Sequence, residues 1–131
     1  GITKTDLQAK LDEFEHLFNG EILGGKKLIR DLSKGNQKKV GIAASLVFDP
    51  KVLVLDEPFA NLDPSTQIRL KELLRNLKDD HGVTMLISSH DLSHVTEVCE
   101  RVVLLEKGKI INDIRTSDGT LEELENYFAS V

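Results

Sequence analysis

The segment "KVLVLDEPFANLDP", from Lys51 to Pro64, constrains the fold more than any other part of this sequence. It opens with a continuous apolar run, Val52 to Leu55, which is typical of a strand buried on both faces of a sheet. The run ends in two adjacent carboxylates, Asp56 and Glu57, and Pro58 then favours a sharp turn. We therefore expect a buried strand with two acidic side chains at its carboxyl end.

Two helices are predicted before this strand. Thr5 and Gln8 have the spacing of a capping box, and the apolar residues after them recur at helical intervals until Asn19-Gly20. After a Gly- and Lys-rich connection, Ser33 is the predicted cap of a second helix, which ends before Asp49-Pro50.

Helices and strands alternate after the strand. Asp63 and Pro64 predict a helix start, with Asp as the cap and Pro at the first helical position, and this helix runs toward Gly82. The later predicted elements are a buried strand at Val83 to Ile87, a helix from about Asp91 to Cys99, a hairpin of strands 102–105 and 109–114 around Lys107-Gly108, and a last helix capped by Thr120 with Glu123. This order predicts an α/β layered fold with a partly parallel sheet.

Composition excludes several classes of function. The 131 residues fit one domain or part of one, and a net charge of −5 without a basic stripe disfavours nucleic acid as a primary partner. Cys99 is the only cysteine, so the chain can build neither a disulfide framework nor a cysteine zinc site. No apolar stretch is long enough to cross a bilayer, and any membrane role is expected to come through a partner.

Polar residues follow both predicted strands, at the end where α/β sheets bind ligands. Asp56 and Glu57 follow the first strand, and Ser88, Ser89 and His90 follow the second. Two adjacent carboxylates suit a nucleotide site with a divalent metal, because one can hold Mg²⁺ while the other orients or deprotonates a water. An acidic cap of the following turn explains the carboxylates equally well, and a lone histidine is more often an ordinary residue of a first helical turn.

The stretch "LSKGNQKKV" places Ser33 and Gly35 at a helix start, where free backbone N–H groups and the helix dipole favour an anion. Gly allows a close backbone approach, and the Ser hydroxyl can bond a phosphate oxygen. The competing interpretation is an ordinary Ser-capped helix with a solvated lysine face.

Taken in order, "LSKGNQKKV", "VLVLDEP", "NLDP" and "SSH" resemble the second half of an ATP-binding cassette (ABC) ATPase, the nucleotide-binding subunit of the transporters of that name. The resemblance implies an α/β fold, the C-terminal portion of a P-loop NTPase (RecA-like) nucleotide-binding domain with part of its helical subdomain. Residues 1–48 would be the helical portion with the signature motif, and residues 49–131 the C-terminal half of the ATPase core.

The resemblance also implies roles for single residues. Asp56 would be the Walker B aspartate acting on Mg²⁺, Glu57 the catalytic glutamate that polarises the attacking water, and His90 the switch histidine at the γ-phosphate. Asp63 would lie in the D-loop at a dimer interface. The signature motif, Leu32 to Asn36, would bring Ser33, Gly35 and Asn36 to the ATP of the opposite protomer; it departs from Leu-Ser-Gly-Gly-Gln at Lys34 and Asn36.

By the same resemblance, ATP and Mg²⁺ are the expected cofactors, and ATP hydrolysis would be coupled to transport. The expected partners are a second ATPase domain in a head-to-tail dimer and transmembrane transporter subunits, which would hold the protein at the cytoplasmic side of the inner or plasma membrane without inserting it. Nucleic acid is not expected as a partner.

A P-loop would complete the site, and its nearest match is "GEILGGKK", Gly20 to Lys27. We reject this match because Lys27 stands where Ser or Thr is needed and the preceding segment is a predicted helix. We therefore expect a C-terminal portion of a longer ATPase that hydrolyses no ATP alone, exposes an apolar sheet edge, and is self-associated or poorly soluble.

Two other functions fit the motifs. A soluble cassette protein, active in DNA repair, chromosome maintenance or on the ribosome, would share the signature, Walker B and D-loop motifs. A non-enzymatic module that only dimerises would not need the acidic pair. The presence of both Glu57 and His90 favours an enzyme over that module.

Overall fold

The computed structural model describes residues 3–20 and 25–130, apart from the side chains of residues 16 and 18. The helices and strands are α1 Lys4–Glu13, α2 Glu15–Phe18, α3 Lys34–Leu46, β1 Val52–Asp56, α4 Pro64–Asp79, β2 Thr84–Ser88, α5 Leu92–Val98, β3 Arg101–Glu106, β4 Lys109–Arg115 and α6 Thr120–Ser130. The predicted order of elements is confirmed from α3 onward, but the single first helix that was predicted is divided at Phe14 into α1 and α2, and a short 3₁₀ turn at Ile29–Asp31 precedes α3. Residues 21–24 of the rejected P-loop match lie outside the described residues.

The cap of α1 is Thr3, and the prediction of a capping box at Thr5 and Gln8 is wrong. The Asp6 N–H donates to Thr3 Oγ1 at 3.1 Å, and the Thr3 N–H donates to Asp6 Oδ2 at 3.1 Å. A carboxylate three residues after the cap accepts a stronger hydrogen bond than the amide of Gln8 can, which explains why the helix begins two residues earlier. The predicted break at Asn19 is confirmed by its left-handed backbone, with φ 55°.

The predicted caps of α3 and α4 are confirmed. Ser33 Oγ accepts the Asn36 N–H at 3.2 Å, and Asp63 Oδ1 accepts the Thr66 N–H at 3.0 Å with Pro64 at the start of the helix. Each cap satisfies one of the free donors at a helix N-terminus. Both helix starts are therefore fixed by the residues that the sequence indicated.

Strands β1 and β2 pair in parallel, with Val54 opposite Leu86 and Asp56 opposite Ser88. One face of this pair packs into the core, which includes Leu53 and Leu55 of β1 with buried residues of α3 and α4. The other face is open: Val52, Val54 and Leu86 are 63%, 67% and 67% exposed. The prediction that β1 is buried on both faces is therefore wrong, as is the predicted burial of β2, because in the described part of the chain helices cover the pair from one side.

The remaining strands form a second small sheet. Strands β3 and β4 are an antiparallel hairpin, and its turn residues Lys107 and Gly108 both have positive φ angles, as a tight two-residue turn requires. Val102 and Leu104 pack against Leu124 of α6, which closes this side of the domain. In the described ranges, no helix combines the length and apolar character needed to cross a membrane.

The predicted cap of α6 is wrong by one residue, because Thr120 is the first residue of the helix itself. Its hydroxyl accepts the Ser117 N–H at 2.8 Å, while the Glu123 N–H donates to the Gly119 carbonyl at 3.1 Å. The Thr120 side chain, which is 2% exposed, therefore accepts a hydrogen bond from the turn before the helix and does not cap the Glu123 N–H.

We expect the chain to self-associate through the open sheet face, because Val54 and Leu86 are neighbours in register and large apolar patches favour association. The double variant Val54→Lys/Leu86→Glu places opposite charges side by side on that face. Analytical ultracentrifugation should show oligomers for the wild type and a monomer for this variant.

The matched control is Ile68→Lys/Phe128→Glu, which removes two exposed apolar residues elsewhere, 58% and 53% exposed, with the same change in charge. The control should remain oligomeric. A monodisperse wild-type monomer, or an equal effect of both double variants, would contradict the expectation.

Candidate functional site

The carboxyl ends of β1 and β2 bring the predicted acidic pair to the residues that follow β2. Asp56 lies opposite Ser88, whose hydroxyl donates a hydrogen bond to Asp56 Oδ1. The Glu57 N–H donates to the Ser88 carbonyl at 3.0 Å, which continues the sheet ladder one residue beyond β1. Parallel pairing therefore fixes the backbone of both carboxylate residues against β2.

Glu57 has a left-handed backbone, with φ 47°. This conformation costs a residue other than glycine roughly 1–2 kcal/mol, so surrounding contacts must hold it. The Glu57 carbonyl accepts the Ala60 N–H at 3.2 Å across the turn that contains Pro58, and it also accepts a hydrogen bond from Lys38 Nζ of α3. The Glu57 carbonyl is thus held by Ala60 and Lys38, and the Glu57 N–H is held by the Ser88 carbonyl.

The left-handed turn directs the Glu57 side chain toward His90. Glu57 Oε1 lies 2.8 Å from His90 Nδ1, and the His90 side chain is 83% exposed. The hydrogen bond to Glu57, followed by the charge of that carboxylate, raises the pKa of His90 above its ordinary value. The predicted catalytic residues Glu57 and His90 are therefore in direct contact, with the imidazole open to a ligand.

Asp56 is the predicted metal residue, and its carboxylate is exposed at the end of β1. Within residues 3–20 and 25–130, no group of three or more His, Cys, Asp and Glu side chains is arranged to hold a metal ion. A single carboxylate that accepts a hydrogen bond from the Ser88 hydroxyl nevertheless fits Mg²⁺, which keeps most of its waters and binds proteins through one or two carboxylates beside substrate phosphates. The donor set suits a metal that arrives with a nucleotide.

The start of α3 packs against the loop that follows Glu57. A Cβ on Gly35 would lie 2.5 Å from the Asn61 carbonyl oxygen, so this position admits only glycine without a shift of backbone. Ser33 and Asn36, joined by the cap hydrogen bond, lie on this same helix start. The three predicted phosphate-binding residues are thus brought together, beside the loop that carries the acidic pair.

Asp63 has a structural role that its sequence position already indicated. Its carboxylate accepts hydrogen bonds from the Ser65 hydroxyl at 2.5 Å and from the Thr66 hydroxyl at 2.6 Å. These hydroxyls and the Thr66 N–H hold the pKa of Asp63 well below its usual range. The carboxylate is therefore ionised and engaged in capping α4, and its role at a dimer interface stays a prediction.

The sequence did not single out Lys38 as a site residue. It lies three residues after Gly35, which places it on the same side of α3 as the glycine that contacts the loop. That spacing is the only signal in the sequence, because the acceptor of its hydrogen bond is the Glu57 carbonyl and any residue type supplies a carbonyl.

Comparisons with known proteins agree with the motifs. The family described as "AAA domain, putative AbiEii toxin, Type IV TA system" matches residues 11–95. The ABC transporter ATP-binding protein YhaQ of Bacillus subtilis is 38% identical over 98% of this chain and 41% of its own length. The phosphite import ATP-binding protein PxtA of Stutzerimonas stutzeri is 39% identical over 75% of this chain and 36% of its own. The chain therefore spans less than half the length of these relatives.

Solved structures give the same fold. CbiO1 from Clostridium perfringens, part of the ABC transporter complex CbiONQ, has a TM-score of 0.70 at 29% identity and covers 100% of this chain, which spans 51% of it. The dimeric post-hydrolysis state of the ATP-binding cassette MJ0796 bound to ADP and Pi has a TM-score of 0.78, with 89% of this chain and 50% of that chain covered. At 23% identity, the second likeness supports the fold alone.

We expect Gly35→Ala to destabilise the domain by about 1–3 kcal/mol, because the new methyl group collides with the Asn61 backbone. Gly41→Ala on the same helix is the matched control, since a Cβ there meets no atom within 4 Å. The control should gain about 0.5–1 kcal/mol from better helix propensity. Urea unfolding of both variants measures the difference, and equal effects would refute close packing at Gly35.

We expect the His90 imidazole to titrate above its ordinary value, and Glu57→Gln to lower that midpoint. Because the folded-state pKa is raised, the contact contributes stability that is fully present below the unfolded-state pKa and is lost as pH rises through the folded-state pKa. NMR of labelled histidine checks the midpoint. Glu122→Gln, an exposed substitution on α6, should leave it unchanged, and an unchanged midpoint in Glu57→Gln would contradict the contact.

Proposed function

This chain belongs to the AAA-domain family whose model matches residues 11–95 and is related to ABC transporter ATP-binding proteins, and we propose that it supplies the catalytic carboxylate, the switch histidine and the signature motif of an ATP-hydrolysing transporter subunit. The observation that carries the proposal is the 2.8 Å contact between Glu57 and His90, formed beside Asp56 where β1 and β2 end. An ordinary acidic strand cap would not require a histidine from the segment that follows the neighbouring strand.

Glu57 is the group that orients a water and accepts its proton. Its backbone is held on both sides, and its carboxylate lies against an imidazole that the same contact favours in the protonated form. A protonated His90 supplies a positive charge and an N–H donor at the position proposed for the terminal phosphate. Glu57 thus acts on the water, and His90 acts on the phosphate.

Asp56 is the residue that would hold Mg²⁺, and Ser88 would orient its carboxylate. The metal, when bound with ATP, would neutralise phosphate charge. The contribution of this chain is one carboxylate placed by the β1–β2 register, which fits a metal held mainly by water and phosphate.

The start of α3 is proposed to bind the ATP of a second copy. Ser33 offers its hydroxyl and Gly35 its helix-terminal N–H, while the Asn36 N–H is engaged by Ser33 Oγ and leaves the Asn36 side-chain amide as the donor. Asp63 would stiffen the neighbouring loop at the dimer interface through its capping bonds. Lys34, where the family usually has glycine, adds a positive charge at this surface.

The rest of the ATPase is proposed to lie in residues beyond this sequence. YhaQ is more than twice as long as the matched region, and these 131 residues hold no P-loop with Ser or Thr after its Lys. We assign residues 1–48 to a helical subdomain and residues 49–131 to the C-terminal half of the ATPase core. Transmembrane subunits would hold the complete protein at the cytoplasmic face of the membrane, because the relatives carry the names of transporter proteins.

The test is steady-state ATP hydrolysis by the complete protein with Mg²⁺. Glu57→Gln should lower kcat on the order of a hundredfold or more while ATP binding is retained, since it removes the base and keeps the shape. Glu72→Gln, an exposed residue of α4, is the control and should hydrolyse ATP at the wild-type rate.

This chain alone is expected to show no turnover above background. Hydrolysis by Glu57→Gln at the wild-type rate would refute the role of Glu57. Absence of hydrolysis in the complete wild-type protein, with dimerisation intact, would instead favour a non-enzymatic dimerising module.

A further inference from the structure

Lys38 links α3 to the backbone of the catalytic glutamate. It lies in the second turn of α3, is partly buried, and donates a hydrogen bond from Nζ to the Glu57 carbonyl. The contact is between a charged donor and a neutral backbone acceptor, a class of hydrogen bond stronger than a neutral pair. No role in the ATPase reaction described above requires this lysine.

The carbonyl that Lys38 holds belongs to a strained residue. Glu57 is left-handed at φ 47°, and its N–H, carboxylate and carbonyl are all hydrogen-bonded, the carbonyl by both the Ala60 N–H and Lys38 Nζ. The N–H is held by Ser88 and the carboxylate contacts His90, both from the β2 side, whereas Lys38 contacts the carbonyl from α3. Lys38 therefore holds Glu57 from the side of α3, while Ser88 and His90 hold it from the side of β2.

A second contact joins α3 to this loop. Gly35, one turn before Lys38, packs against the Asn61 carbonyl at the far end of the turn. Two points of α3 thus touch two points of the loop that begins at Glu57. A displacement of the α3 start is transmitted to that loop, because packed contacts shift together rather than deform continuously.

We propose that Lys38 is a positioning residue, which holds the Glu57 backbone in the conformation that aims its carboxylate and couples the start of α3 to that aim within one chain. The proposal rests on the proposed function of Glu57. Under this proposal, the start of α3 has two roles. It meets the ATP of a second copy, and through Lys38 it sets the position of the Glu57 carboxylate in its own copy.

The kinetic test compares three forms of the complete protein. Lys38→Met keeps the length of the apolar stem and removes the charged donor, and Lys38→Arg restores a charged donor. We expect Lys38→Met to lower kcat by roughly tenfold to a hundredfold with KM for ATP within about twofold, because a misplaced reacting group impairs the chemical step and not binding. Lys38→Arg should recover most of the lost kcat.

Lys51→Met is the matched control, because Lys51 is exposed at the other end of β1. It should retain the wild-type kcat. A Lys38→Met protein that folds and keeps the wild-type kcat, or a loss that Lys38→Arg does not restore, would overturn the proposal. So would an effect confined to KM.

A spectroscopic measurement keeps the proposal testable if Lys38→Met fails to fold. In wild-type protein with labelled lysine Nζ and labelled Glu57 carbonyl carbon, NMR should detect scalar coupling across the hydrogen bond. Absence of this coupling would overturn the proposal. Because the coupling needs no ATP hydrolysis, its presence in a protein without turnover would locate the failure in the proposed function and not in the contact.

Discussion

The hydrogen bond from the Glu57 N–H to the Ser88 carbonyl is the interaction on which the candidate site depends. It extends the parallel ladder past Asp56, so Glu57 is still tied to β2 at the point where its backbone becomes left-handed. If the pairing with β2 ended at Asp56, the Glu57 backbone would turn without a hydrogen bond to Ser88. Because the anchor and the turn coincide at one residue, the carboxylate is directed along the sheet edge toward His90.

The loop after Glu57 is held by side chains of three helices, two of which contact its backbone carbonyls and one a ring. Lys38 contacts the Glu57 carbonyl, the Gln67 amide donates to the Phe59 carbonyl at 3.1 Å, and the Phe59 ring lies 4.6 Å from the His94 ring. Helices α3, α4 and α5 each supply one of these contacts. The loop is therefore positioned by three helices, and its conformation is set by tertiary structure more than by Pro58 alone.

Local chemistry identified two of the four predicted helix caps correctly, whereas the caps predicted at Thr5 and Thr120 were wrong and features decided by distant packing could not be predicted. Ser33 and Asp63 were identified as caps because the cap and its N–H donor are three residues apart. The burial of Val52 and Val54 was predicted wrongly. An apolar run indicates that both faces of a strand can be buried, but it does not show which other residues would pack against each face. Lys38 could not be predicted as a site residue because its acceptor is a backbone carbonyl, which every residue type has.

The contact between Glu57 and His90 forms in a domain whose sheet has one uncovered face. Every group that fixes it, from Ser88 to Lys38 and Ala60, belongs to the described residues and packs on the covered face or at the strand ends. The contact between Glu57 and His90 thus does not require that the open face be covered. Under the proposed function, the acidic pair and its histidine are therefore organised by contacts within this chain before a nucleotide meets them, which is the preorganisation that electrostatic catalysis depends on.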